Sequence, residues 1–192
     1  NLWLGIFQKG IILIPSTQNR FNYYGYRSIQ KNTIGSSCVM SIWVDKQGIT
    51  WVGTDNDGLY GINDQGEQLV HYRHQPGNPQ SVPGTIMAIY EASDRHLWLG
   101  SYLNGLAKMN MQTGRCEYIP QLSDGVNEKI SSIAEDNDRH LWVGTHGSGL
   151  QKISLNDHTI TRYESTRDES NNWTIDRLPN DWINCLMKGH DG

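Results

Sequence analysis

The chain has 192 residues and a formal net charge of −4, with 19% charged and 36% hydrophobic residues. That length can bury a core, and Lys, Glu and Ala do not dominate as they would in a helical bundle. A weakly acidic chain with no basic stripe argues against a nucleic-acid partner. Cys38, Cys116 and Cys185 lack Cys-x-x-Cys spacing and indicate no disulfide framework, and no apolar run approaches the ~20 residues that cross a bilayer.

In chain order, residues 2–6, 10–15 and 20–24 read as three short strands. Four follow at 39–45, 49–54, 59–62 and 68–73, four more at 86–91, 96–101, 105–110 and 116–119, and four more at 130–135, 140–145, 149–154 and 159–163. Turn residues separate them: Lys46-Gln47-Gly48, Asp55-Asn56-Asp57-Gly58 and Asn63-Asp64-Gln65-Gly66 in the second unit. Such residues accept positive φ or cap their own backbone, and turn signals every 8–12 residues without helical periodicity predict antiparallel sheet.

The units are copies of one another. Trp3, Trp51, Trp98 and Trp142 lie 48, 47 and 44 residues apart. Two past each Trp is Gly5, Gly53, Gly100 or Gly144. Seven past it is Gly10, Gly58, Gly105 or Gly149, followed by an aliphatic. Tyr24, Tyr72, Tyr118 or Tyr163 closes each unit. A period of roughly 40–50 residues rich in short strands predicts a β-propeller with one four-stranded antiparallel blade per repeat. The blades span 39–72, 86–118 and 130–163, with a partial blade at 1–24.

Residues 182–188 align with 130–135 and are expected to form the inner strand of a next blade, or of a blade completed by residues 2–6. The chain reads as a window of a larger ring, and a four-bladed ring closing on itself is the other possibility. The glycine two past the Trp is expected to make room for an aromatic ring of the next blade. The glycine seven past it serves a tight turn or a close backbone approach. Cys185 aligns with Ser41, Ala88 and Ser132 and is expected to be small and buried.

The pattern Ile133-x-Glu135-Asp136-x3-His140-Leu141-Trp142-Val143-Gly144-Thr145-x3-Gly149-Leu150 resembles the two-component regulator propeller repeat. So does Asn78-Pro79-Gln80-Ser81-Val82 ahead of Ile86-x2-Ile89 and Leu97-Trp98-Leu99-Gly100. The resemblance covers essentially the whole chain. It implies the periplasmic sensor region of a Bacteroidetes-type hybrid sensor histidine kinase, with a ring of typically seven blades. An Ig-like domain, a membrane helix and kinase modules would follow, in a homodimeric inner-membrane protein. It also implies recognition of glycan breakdown products. The repeat marks scaffold, so it transfers no binding residue.

The chemistry of individual residues is sparse. The histidines are scattered rather than grouped as metal ligands, and no metal or other cofactor is expected. Asp55-Asn56-Asp57-Gly58 resembles a calcium loop without its later ligands. Asp45-x2-Gly48-x2-Trp51 resembles the Asp-box turn of sialidase-type propellers, which leaves a carbohydrate-active enzyme as a lesser alternative. No catalytic residue is assigned. The strand 2–3 turns and the linkers between units share one rim, where ligand contact is expected at Asp55, Asn56, Tyr102, Asn104, His146 and Trp173. Planar aromatics stack on sugar faces, and Asp, Asn and His exchange hydrogen bonds with hydroxyls. A further alternative is a pure interaction scaffold that docks a neighbouring propeller or Ig-like domain.

Overall fold

The computed structural model describes residues 1–6, 8, 10–14, 22–25, 34–120, 129–165 and 178–190. Blade one comprises β1 (Leu2–Ile6), β2 (Gly10–Ile14) and β3 (Asn22–Tyr24). Blade two comprises β4 (Val39–Val44), β5 (Thr50–Thr54), β6 (Leu59–Ile62) and β7 (Gln68–Tyr72). Blade three comprises β8 (Ile86–Glu91), β9 (Leu97–Ser101), β10 (Leu106–Met109) and β11 (Cys116–Tyr118). Blade four comprises β12 (Ile130–Glu135), β13 (His140–Thr145), β14 (Leu150–Ser154) and β15 (Ile160–Tyr163). Every sheet is an antiparallel meander in sequence order, three-stranded in blade one and four-stranded in the others. The inner strands are neighbours, β4 against β8 and β8 against β12, which makes the fold a β-propeller.

The core lies between blades. One buried cluster joins Trp98 and Leu106 of blade three to Ile130, Leu141 and Ile153 of blade four. Another joins Trp51 and Leu59 of blade two to Ile86, Leu97 and Leu99 of blade three. Both faces of a central blade are therefore apolar, and all five residues of β9 are buried. Full burial of one such side chain contributes roughly 1.5–3 kcal/mol, so blade-to-blade packing is the main source of stability.

The repeated glycines explain how blades approach. A Cβ on Gly53 would lie 2.8 Å from Ile86 Cγ2, and one on Gly100 would lie 2.4 Å from Ile130 Cγ2. Gly5 faces Val39 Cγ1 at 3.2 Å. The notch two past the Trp in these blades thus admits the aliphatic that opens the next inner strand, not the aromatic ring expected. The aromatic rings use a different glycine. Tyr24 packs against Gly66 and Tyr72 against Gly114, where a Cβ would come within 2.1 and 2.3 Å of the ring. The tyrosine closing one blade therefore lies on the 3–4 turn of the next. The glycines seven past the Trp combine positive φ with close approach: Gly58 has φ +79, and its Cβ would meet Tyr72 O at 2.1 Å.

The segment 181–189 takes the place of a next inner strand without forming one. Ile183 Cγ2 lies 2.7 Å from the Cβ position of Gly144, Ile183 N donates to Thr145 O at 2.8 Å, and Ser131 Oγ donates to Ile183 O. Among the described residues its one bridge is His146 with Trp182. This corrects the expected strand over 182–188. A strand needs a ladder, and among the described residues no second strand lies on its far side; β1 pairs only with β2. For the same reason Cys185 is exposed rather than buried.

Acidic residues fasten the 1–2 turns. Asp45 Oδ1 accepts from Gln47 N and Ile49 N, and its Oδ2 accepts from Trp51 Nε1 at 2.8 Å. Asp136 does the same for Asp138 N, His140 N and Trp142 Nε1. Blade three has Ala92 at that position, and Asp94 instead accepts from Trp98 Nε1 at 3.4 Å while pairing with Lys108 Nζ at 2.8 Å. Glutamates link adjacent blades: Glu91 accepts from Lys46 N, and Glu135 from Ser93 N.

Candidate ligand-facing rim

The 2–3 turns and the linkers meet on one rim. Gly58 N donates to Gly84 O, and both Gly147 N and Gly149 N donate to Asp181 O. Along that rim, in blades two to four, the first residue of the 2–3 turn meets the residue just ahead of the isoleucine that opens the next segment: Ile86, Ile130 or Ile183. Thr85 Oγ1 donates to Asp55 Oδ1 at 2.9 Å. Lys129 Nζ sits 4.7 Å above the Tyr102 ring. The His146 and Trp182 rings stack at 4.5 Å and 8°. Asp55, Tyr102 and His146 occupy one repeat position, and Thr85, Lys129 and Trp182 another. The blade scaffold recurs while the side-chain chemistry changes from blade to blade; the turns differ in backbone too, with positive φ at Asn56 and Gly147 but not at Leu103.

Of the six residues expected to touch ligand, Asp55, Tyr102 and His146 fall on this arc. Asn56 is exposed beside Asp55, with φ +67. Asn104 is exposed beside Tyr102, its backbone N bonded to Ser101 Oγ. Trp173 lies outside the described residues, as do Phe7 and Lys9 of the first 2–3 turn. Thr85, Lys129 and Trp182 were not singled out from the sequence. They could have been: each stands directly before an aliphatic (Ile86, Ile130, Ile183) and varies freely in an otherwise regular column. Trp182 is 54% exposed and its stacked partner His146 half-buried, so the pair offers a planar edge to solvent.

A groove of about 930 Å3 opens beside the arc, walled by Leu103 and Asn104, by Asn78 and Gln80 of the linker, and by Glu117 and Tyr118 of β11. The linker wall is braced from within. Asn78 caps Gln80 N, Gln80 O accepts from Cys116 N, and Tyr118 OH donates to Ser81 O at 3.0 Å. Burial raises the Tyr118 phenol above its ordinary value, so this donor stays protonated. Burial likewise pushes the Cys116 thiol up to about 12, which leaves it a poor nucleophile.

Asp57, also near this rim, has structural partners. Asp57 accepts from Tyr60 OH at 2.5 Å and pairs with Arg73 Nε at 3.3 Å. The Tyr60 phenol, pushed up to about 12 by burial and then by its bond to Asp57, also accepts from Gly35 N. Asp55 and Asp57 thus point to different partners and do not converge as metal ligands would. Asp45 and Asp136 of the Asp-box-like turns are occupied by amides and indoles. The arrangement suits reversible binding of a polar ligand with flat faces.

Residues 124–147 match the family model described as two component regulator propeller. No curated protein matches the chain. Among solved structures, the extracellular domain described as that of hybrid two component system BT4673 from B. thetaiotaomicron is similar with a TM-score of 0.77 and 20% identity, over 98% of this chain and 23% of that one. A second structure of that domain, at TM-score 0.75 and 19% identity, is described as part of a one component system and is covered to the same extents. The corresponding domain of BT3049, from the same organism, gives a TM-score of 0.68 and 21% identity over 89% of this chain and 25% of that one. The chain spans about a quarter of the length of these three solved structures.

Proposed function

We propose that this propeller, built on the two component regulator propeller repeat, is a non-catalytic sensory segment of a periplasmic ectodomain that recognises an oligosaccharide and passes the binding event to attached signalling modules. The observation that carries the reading is the rim arc. It holds a hydrogen-bonded pair, a cation–π pair and a stacked aromatic pair on adjacent blades, next to a groove of about 930 Å3. Conserving the blade scaffold while varying such pairs is how a repeat protein presents a binding surface. The relatives' descriptions as extracellular domains of two-component systems support the location and the signalling role. A histidine kinase output, a homodimer and a neighbouring propeller or Ig-like domain belong to the same proposal.

Calorimetry of the intact ectodomain against a panel of glycan fragments tests it. Binding by at least one fragment is expected, weakened about tenfold or more by Trp182→Ala or Tyr102→Ala. No heat with any fragment, or binding indifferent to both substitutions, removes the reading. A second reading is a scaffold that docks a neighbouring domain. Pairing with a neighbouring domain in the absence of any glycan response would select it.

A further inference from the structure

A second concavity lies on the other side of the 73–85 linker, between blades two and three. It is a polar pocket of about 310 Å3 whose walls include His71 and Arg73 at the end of β7, Asn78 and Gln80 of the linker, and Thr113 and Arg115 of the blade-three 3–4 turn. The chain carries 20 acidic and 16 basic residues. Yet Arg73 and Arg115 are both among its described lining residues and no acidic residue is; the carboxylate of Asp57 lies behind the wall, 3.6 Å from His71 and 3.3 Å from Arg73.

The walls are held in place independently of any ligand. The Tyr72 ring packs against Gly114, fixing the turn that carries Arg115 on the end of β7. Arg73 is anchored through Nε, 3.3 Å from Asp57 Oδ1, while the rest of its guanidinium fork remains for another acceptor. The Arg115 guanidinium makes no hydrogen bond or ion pair among the described residues. Thr113 Oγ1 accepts from Arg115 N, so its own proton can be donated into the pocket.

We propose that this pocket is an anion subsite that takes a sulfate ester or carboxylate carried by an acidic saccharide. The saccharide part rests on the sugar-binding reading above; the anion part does not. Two guanidinium forks match the paired oxygens of such groups and favour them over a neutral hydroxyl. Asn78 and Gln80 wall both this pocket and the neighbouring groove, where Glu117 stands. An acidic sugar would be drawn to the arginine side and repelled from the Glu117 side, which orients it along the linker.

The test is titration of the intact ectodomain, at low constant ionic strength, with sodium sulfate, a sulfated or uronate disaccharide and its neutral counterpart. Sulfate should bind, Arg115→Gln should weaken it at least fivefold, and Arg115→Lys should fall between. The acidic disaccharide should bind about tenfold tighter than the neutral one. An unchanged thermal midpoint for Arg115→Gln shows that folding is intact. Absence of sulfate binding, or sulfate binding indifferent to Arg115, overturns the proposal. Equal affinity for acidic and neutral disaccharides overturns it too, while leaving a sugar site. Arg115-dependent sulfate binding with no response to either sugar keeps the anion pocket and removes the sugar-sensing function.

Discussion

Ile183 fills the notch of Gly144: its Cγ2 lies 2.7 Å from where a Cβ would stand, matching the 2.8 Å between the Gly53 notch and Ile86. Ile86 belongs to a strand and Ile183 does not. The aliphatic therefore occupies the notch whether or not its segment forms a ladder, and this contact is one of those that hold the segment 181–189.

Ile183→Ala should loosen this segment alone. Ile183 is half-buried, so the cost should be about 1–2 kcal/mol, below that of a fully buried truncation. Hydrogen exchange reads it: the amides of Gly147 and Gly149, which donate to Asp181 O, should exchange faster, while those of β9 stay unchanged. Equal acceleration in β9 would contradict a local role.

Two glycine substitutions separate crowding from backbone conformation. At Gly100 a new methyl would stand 2.4 Å from Ile130 Cγ2, and overpacking of that kind costs about 1–3 kcal/mol. Gly48 has φ +85 and nothing within 4 Å, so alanine there pays only the left-handed conformation, about 1 kcal/mol. Urea unfolding should rank Gly100→Ala as the more destabilised, with lost packing between blades three and four. The reverse order would show that the notch relaxes.

Arg95 and Arg139 hold φ of +62 and +63, at the turn position where blade two has Gly48. Glycine adopts this conformation without steric cost. Arg139→Gly should therefore raise stability by roughly 0.5–1 kcal/mol, the backbone bond from Leu155 N to Arg139 O being retained. A lower urea midpoint would mean that the arginine side chain makes a compensating contact.

Acid should weaken the blade-four turn through Asp136. Burial works to raise its carboxyl, but bonds from His140 N, Trp142 Nε1 and Asp138 N outweigh it and hold the folded value below the ordinary carboxylate range. A depressed folded value adds stability that is complete above the unfolded value and lost as pH falls through the folded one. The thermal midpoint should be insensitive to this group near neutrality and drop below about pH 4. Asp136→Ala should lower the neutral midpoint and reduce the acid-dependent drop. An undiminished drop would assign the acid sensitivity elsewhere.

The fold was legible because each blade repeats the same local requirements. Turn residues such as Asp55-Asn56-Asp57-Gly58 punctuate strands whose apolar content is dictated by burial on both faces. The arc was half legible. Asp55, Tyr102 and His146 stand out as polar or aromatic departures within a regular column. Their partners Thr85, Lys129 and Trp182 lie 27 to 36 residues further on, and only the approach of one blade to the next brings them together. Trp182 was read as the start of a strand because its neighbours alternate suitably, but alternation does not supply a pairing partner.

The sequence by itself determined the blade: the period, the strand order, and the glycines at Trp+2 and Trp+7, since these answer to short-range sterics and hydrogen bonding. The tertiary structure alone decided what those glycines admit. Ile86 and Ile130 enter the notches, while Tyr24 and Tyr72 go to the 3–4 turns, because the winner at each site depends on shape complementarity between blades. It also decided that Arg73 and Arg115, 42 residues apart in the chain, line one pocket. Charges so far apart in sequence carry no shared pattern until packing closes the distance between them.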